Sequence, residues 1–206
     1  MKKQLKFALL FIAACALSAG AMAHIGADTG AAGHSHGSGL LTGFMHPLTG
    51  LDHLAAMVAV GLWSALAARR AWPDLLWAPL GFAAMLLVGA LLGLQGVQLP
   101  AVEPMIAASL LVIGLLVLTR WQVPGVVAAA LVGVFAVFHG LAHGHELAGD
   151  AHALPTVAGM LAATLLLHGM GLAAGWALRH ASVWVPRLAG AGVAIFGLTL
   201  LGRLAS

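Results

Sequence analysis

Long apolar segments recur along this chain of 206 residues and limit it to one class of structure. Hydrophobic residues make up 62% of the sequence and charged residues only 7%, whereas a soluble domain carries roughly 25% charged residues. Too few polar side chains are therefore available to cover a water-exposed surface. Apolar segments of about 20 residues match the hydrocarbon thickness of a bilayer. The composition predicts an all-α, polytopic membrane protein.

The apolar segments occupy residues 40–206, which we predict to form one transmembrane domain. Proline and glycine residues such as Pro73, Gly96 and Pro124 interrupt the apolar pattern between segments, and these residue types favour turns. Each segment is close to the length of one membrane-spanning helix. We predict six transmembrane helices, at 41–67, 75–95, 102–119, 124–147, 155–178 and 185–204.

Residues 1–23 have the pattern of a cleaved secretory signal peptide. Three lysines precede a short apolar run, and the small-residue sequence at 21–23 is a typical cleavage site. Two other interpretations remain open: an uncleaved first helix, and a lipoprotein-type cut that makes Cys15 the first mature residue. Cleavage at either position, before His24 or before Cys15, leaves the N-terminus outside the inner membrane.

Residues 24–39 form a lead rich in glycine, serine and histidine, which we expect to lie in the periplasm. His24, His34 and His36 could capture a metal ion there. A disordered polar tail explains the same composition equally well.

The arginines predict the orientation of the six helices independently of the signal peptide. With the N-terminus outside, every predicted outer loop lacks lysine and arginine, and Arg203 alone lies at the outer C-terminal end. This is the positive-inside bias of bacterial membrane proteins. The basic residues of the predicted inner loops are Arg69, Arg70, Arg120, Arg179 and Arg187.

The first cluster of ionisable residues has the sequence HPLTGLDH and lies within the first predicted helix, from His46 to His53. Ionisable side chains are costly inside a bilayer, so they indicate a functional site. The second histidine lies seven positions after the first, so the two would share one face of a continuous helix. Pro47 suits the first turn of that helix. Asp52 could bind a metal directly or hold the ring of His53 as a hydrogen-bond acceptor.

The second cluster lies in the fourth predicted helix, which crosses the membrane in the opposite direction. His139, His143 and Glu146 are spaced to share one helical face, whereas His145 lies off it. The two clusters reach similar depths, so we expect them to meet in the outer half of the membrane. Imidazole and carboxylate together are ligands of borderline divalent metals.

Two further residues have two interpretations each. Glu103 begins the third helix and is either a carboxylate stabilised by the helix dipole or a metal ligand. His168, deeper in the fifth helix, is either a hydrogen-bonded core residue or a relay for the ion.

The two motifs resemble those of the HupE/UreJ family of nickel/cobalt permeases. The resemblance rests on HPLTGLDH at 46–53 and FHGLAHGHE at 138–146, and it extends to the signal peptide and the six-helix layout. It implies Ni²⁺ or Co²⁺ uptake from periplasm to cytoplasm, in support of hydrogenase or urease maturation. It also implies a set of metal-transport residues: His46, Asp52, His53, His139, His143 and Glu146.

We therefore predict a transporter rather than an enzyme, with the metal ion as substrate and no permanently bound cofactor. The sequence contains no Walker A motif for ATP hydrolysis. It contains no basic stripe for nucleic acid, so the predicted partners are a divalent ion and the lipid bilayer. Alternative hypotheses are an intramembrane zinc-dependent hydrolase and a haem protein with axial histidines.

Overall fold

The computed structural model describes residues 39–68, 72–179 and 183–206. These residues form helices joined by short turns, and no strand occurs among them. The predictions for the signal peptide and for His24, His34 and His36 lie outside the described residues. The helices are α1 (Gly39–Thr49), α2 (Leu51–Ala67), α3 (Asp74–Leu94), α4 (Val102–Thr119), α5 (Gly125–Glu146), α6 (Ala153–Leu178) and α7 (Trp184–Leu204).

Helices α3 to α7 are each long and apolar enough to cross a membrane. Their bounds agree with the predicted segments to within two residues, because proline and glycine interrupt the sequence near the helix ends. Helices α1 and α2 supply a sixth span if the pair is counted as one. The prediction of an all-α, polytopic membrane protein is confirmed.

The first predicted helix is not continuous, and this part of the prediction is wrong. The chain bends by 80° between α1 and α2, and Gly50 separates the two helices. Pro47 lies near the end of α1 and not in a first turn. Because proline has no backbone N–H and clashes with the preceding turn, it disfavours continuation of a helix. Two residues after Pro47, α1 ends at Thr49.

Helix α2 lies at the centre of the molecule. Of its 17 residues, 13 are buried, and it packs against α6, α4, α3 and α1. A helix that is apolar on all sides is typical of such a central position. His53, near the N-terminal end of this helix, is therefore surrounded by other helices.

Two parallel helices, α3 and α5, form the most extensive helix pair. A Cβ atom on Gly140 or Gly144 would clash with the backbone of α3 near Ala90. Small residues at these positions let the two backbones approach closely. This close packing brings the histidines of α5 against the core.

The opposite end of α2 is held by polar contacts. The indole N–H of Trp63 donates to the carbonyl of Trp121 at 3.0 Å. The Nε of Arg179 donates to the carbonyl of Ala65 at 2.8 Å. A cation at the last turn of a helix also interacts favourably with the helix dipole. These contacts fix the end of α2 that lies farthest from the histidines.

A buried serine compensates for a proline at the same end of the molecule. Pro79 lies inside α3 and lacks the N–H that would otherwise bond to the carbonyl of Leu75. Ser64 of α2 donates its hydroxyl to that carbonyl at 2.8 Å. The hydrogen bond ties α2 to α3 and leaves no free carbonyl at this position.

Candidate metal site

Three imidazoles from three different helices converge at the N-terminal end of α2. His46 of α1, His53 of α2 and His143 of α5 each offer one ring nitrogen, and these atoms lie within 4.8 Å of one another. The Nε2 atoms of His53 and His143 are 2.7 Å apart. The bend between α1 and α2 still leaves the rings of His46 and His53 only 5.4 Å apart. We call these three residues the histidine cluster.

The histidine cluster is shielded from solvent, and several of its nitrogens lack a hydrogen-bond partner. His53 is 3% exposed and His143 is 5% exposed. Among the described residues, the Nε2 of His46 and the Nδ1 of His143 have no hydrogen-bond partner. Leaving a buried polar atom unsatisfied is costly, and a bound ion is one explanation for such an atom.

Asp52 lies behind the ring of His53. The Nδ1–H of His53 donates to the Oδ1 of Asp52 at 3.0 Å, so the lone pair of this ring is on Nε2. A carboxylate in this position orients a metal-binding imidazole and raises its basicity. Of the two roles that the sequence left open, the geometry favours the acceptor of a hydrogen bond over the direct ligand.

Glu146 has a looser relation to His143. Its Oε2 lies 3.5 Å from the Nδ1 of His143, and its side chain is 29% exposed. This separation is too long for a strong hydrogen bond. Glu146 therefore lies at the solvent-exposed edge of the histidine cluster.

His139 lies beside the histidine cluster without belonging to it. Its ring is 5.4 Å from the ring of His53 and is fully buried. Its Nε2 lies 3.0 Å from the Oγ of Ser109 in α4. Sequence reasoning missed Ser109, because a single serine in an apolar helix gives no distinguishing signal.

His168 lies deeper in the membrane domain. Its Nδ1–H donates to the carbonyl of Met57 at 2.8 Å, and Met57 is about 6 Å beyond His53 along α2 by helical rise. The ring of Phe82 lies between the two deeper histidines, 5.7 Å from His139 and 5.3 Å from His168. The Nε2 of His168 is buried without a partner among the described residues.

Two of the residues considered from the sequence lie apart from these histidines. Glu103 is in the first turn of α4, where its exposed position fits a carboxylate stabilised by the helix dipole. His145 is exposed at the end of α5, as expected for a residue off the histidine face.

The donors of the histidine cluster suit a borderline divalent cation. A single hydrogen between the Nε2 atoms of His53 and His143 accounts for their short separation in the metal-free protein. A cation bound by both nitrogens would take the place of this hydrogen. Imidazole is a common ligand of nickel, copper, iron and zinc, and cobalt lies between iron and nickel in the order of affinities.

Comparison with known proteins shows the family. The family model described as HupE / UreJ protein matches residues 12–200, which include both histidine motifs. The chain is 42% identical over 192 residues to Protein HupE of Rhizobium leguminosarum bv. viciae, covering 92% of this chain and 94% of that protein. No solved structure matches the chain. The chain therefore belongs to the HupE/UreJ family.

Proposed function

We propose that this protein transports Ni²⁺ or Co²⁺ across the inner membrane, from periplasm to cytoplasm, and so supplies hydrogenase or urease maturation. The observation that carries the proposal is the convergence of His46, His53 and His143 within a chain of membrane-spanning helices. Membership of the HupE/UreJ family supports a transport protein rather than an enzyme. The metal is the substrate, and no permanent cofactor is required.

We infer the orientation of the protein in the membrane from the positions of the arginines. Arg179 bonds to the C-terminal end of α2, and Arg120 directly precedes Trp121, whose carbonyl binds the same end of that helix. Both arginines thus lie opposite the histidine cluster. The positive-inside rule assigns the arginine end to the cytoplasm and leaves the cluster near the periplasmic surface.

The proposed path begins at the outer carboxylate. Glu146 attracts the hydrated cation, which loses water as the imidazoles of the histidine cluster bind it. Asp52 fixes the ring of His53, and its charge lowers the cost of holding a dehydrated cation in the membrane. The ion then moves past His139 towards His168, which we propose as the next station.

The geometry of His168 supports this last role. Its Nδ1–H is held by a backbone carbonyl, which leaves the lone pair on Nε2. A metal-binding imidazole commonly donates its other nitrogen in this way. A single imidazole binds a cation less strongly than several do, so the ion can leave this station towards the cytoplasm.

Capture at the outer surface includes residues from the N-terminal lead. We propose that His24, His34 and His36 raise the local concentration of metal ions and that Glu103 adds negative charge to the same surface. None of these four residues is required for binding in the histidine cluster.

Radiolabelled Ni²⁺ uptake tests the function in cells that lack their other nickel importers. We expect the wild-type protein to restore uptake and the His143→Ala variant to abolish it. His145→Ala is the matched control, because His145 lies two residues away and is exposed. Uptake that is equal with and without the wild-type protein would reject the proposed function, and equal loss in both variants would reject the site.

A further inference from the structure

A buried hydroxyl in α4 contacts the ring of His139. Ser109 is 5% exposed, and its Oγ lies 2.6 Å from the carbonyl oxygen of Ile106 and 3.0 Å from the Nε2 of His139. Neither the sequence motifs nor the proposed path includes this serine. Its two contacts determine which nitrogen of His139 carries the hydrogen.

The hydroxyl hydrogen of Ser109 can be donated to only one of its two neighbours. A hydroxyl has one hydrogen to donate, and a carbonyl oxygen can only accept. The shorter contact is with the carbonyl of Ile106, so the hydroxyl of Ser109 donates there. Its oxygen must then accept a hydrogen bond from the Nε2–H of His139. The remaining lone pair of this imidazole is on Nδ1.

The Nδ1 of His139 has the surroundings of a free ligand atom. It is buried and has no hydrogen-bond partner among the described residues, and the ring is the neighbour of His53. The arrangement parallels that of His53. There, Asp52 accepts a hydrogen bond from the Nδ1–H of the ring, and the lone pair is on the other ring nitrogen.

We propose that Ser109 is a positioning residue that holds His139 in the Nε2–H form and keeps its Nδ1 available to the transported cation. The hydrogen-bond part of this proposal concerns the metal-free protein, and its effect on transport rests on the proposed function. In many metal sites, loss of a group that orients a ligand costs about 10- to 100-fold in affinity or activity.

Nuclear magnetic resonance of metal-free protein labelled with ¹⁵N-histidine tests the hydrogen bond directly. The His139→Gln variant identifies the His139 signals by their loss. We expect the Nε2–H form of His139 in the wild type, a gain of the Nδ1–H form in Ser109→Ala, and recovery of the Nε2–H form in Ser109→Thr. A wild-type Nδ1–H form, or no change in Ser109→Ala, would overturn the proposal.

Ser64→Ala is the matched control, because Ser64 is also 5% exposed and donates to a carbonyl at 2.8 Å without contacting a histidine. It should leave the ¹⁵N signals of His139 unchanged, and a shift equal to that of Ser109→Ala would overturn the proposal. Ni²⁺ uptake should fall about tenfold in Ser109→Ala and recover in Ser109→Thr. Full uptake in Ser109→Ala would reject the effect on transport.

The two measurements separate this inference from the proposed function. A change of tautomer in a protein that transports no metal would support the role of Ser109 in fixing the ring and would reject only the proposed function. An unchanged tautomer in a protein that transports nickel would reject only the role of Ser109.

Discussion

The two ends of α2 differ in how their buried polar groups are satisfied. We call the N-terminal end the outer end and the C-terminal end the inner end, following the orientation that we propose. At the outer end, imidazoles from three helices lie together, and ring nitrogens of His46 and His143 have no hydrogen-bond partner among the described residues. At the inner end, the side chains of Trp63, Ser64 and Arg179 all donate to backbone carbonyls. The outer end has ring nitrogens available to bind a ligand, whereas the polar side chains of the inner end form hydrogen bonds that join helices.

This difference assigns a different role to each end of α2: we propose ion binding at the outer end and stabilisation of helix packing at the inner end. Unsatisfied nitrogens in a membrane interior destabilise the folded protein unless a ligand uses them, so their concentration at one end supports our proposal that the ion is held there. Satisfied hydrogen bonds at the other end stabilise the helix packing. Substitutions at the outer end should therefore affect metal binding, and those at the inner end should affect stability.

The largest effect is expected for His53→Asn. The asparagine amide can replace the Nδ1–H donor to Asp52 but offers no atom in the place of Nε2. We expect Ni²⁺ uptake to fall by more than about a hundredfold, which exceeds the usual cost of losing an orienting group. Uptake by radiolabelled Ni²⁺ measures this. Wild-type uptake in His53→Asn would show that the outer end does not bind the ion through this nitrogen.

Asp52→Asn should have the next largest effect. The amide oxygen can still accept from His53, but the negative charge is lost, so we expect uptake to fall about 10- to 100-fold. Glu146→Gln should reduce uptake less, because Glu146 lies farther from its histidine and is more exposed. Uptake measured over a range of Ni²⁺ concentrations compares the two variants, and the reverse order would contradict the roles assigned to these carboxylates.

His168→Asn tests the step between the two ends. Asparagine keeps a donor for the carbonyl of Met57 and removes the Nε2 lone pair. We expect the uptake rate to fall roughly fivefold, equivalent to the loss of one interaction of about 1 kcal/mol. Equilibrium Ni²⁺ binding by purified protein should be unchanged. A large loss of equilibrium binding would instead make His168 part of the outer site.

The smallest effect on transport is expected at the inner end. Ser64→Ala leaves the carbonyl of Leu75 without the hydrogen bond that compensates for Pro79. The free energy of unfolding should fall by about 1 to 2 kcal/mol, while Ni²⁺ affinity stays the same. Denaturation in detergent and calorimetric titration with Ni²⁺ measure the two quantities. A loss of affinity with unchanged stability would contradict the division between the two ends.

Much of the fold was predictable because apolar length and helix-breaking residues are local signals. The bounds of α4 were predicted without error, and those of α3 and α5 to within one residue. The break at Gly50 was not predictable from hydropathy, because α1 and α2 form one uninterrupted apolar segment in the sequence. Recognising it requires knowing that Pro47 lies too late in α1 to begin a helix.

The residues of the candidate site could be predicted from the sequence better than their arrangement could. Histidines are rare in membrane helices, so His46, His53 and His143 stood out before their separation was known. The hydrogen bond between Asp52 and His53 was one of two roles considered from the sequence. The position of His139 beside the cluster depends on how the helices pack, which spacing does not reveal. Nothing in the sequence singles out Ser109, because its role depends on a contact with a residue of another helix.

X-ray absorption at the nickel edge of purified, Ni²⁺-loaded protein tests the central claim most directly. We expect multiple-scattering features of imidazole ligands from His46, His53 and His143, with the imidazole contribution reduced in a His46→Ala variant. A nickel shell of oxygen atoms that does not change when any of these histidines is replaced would contradict it.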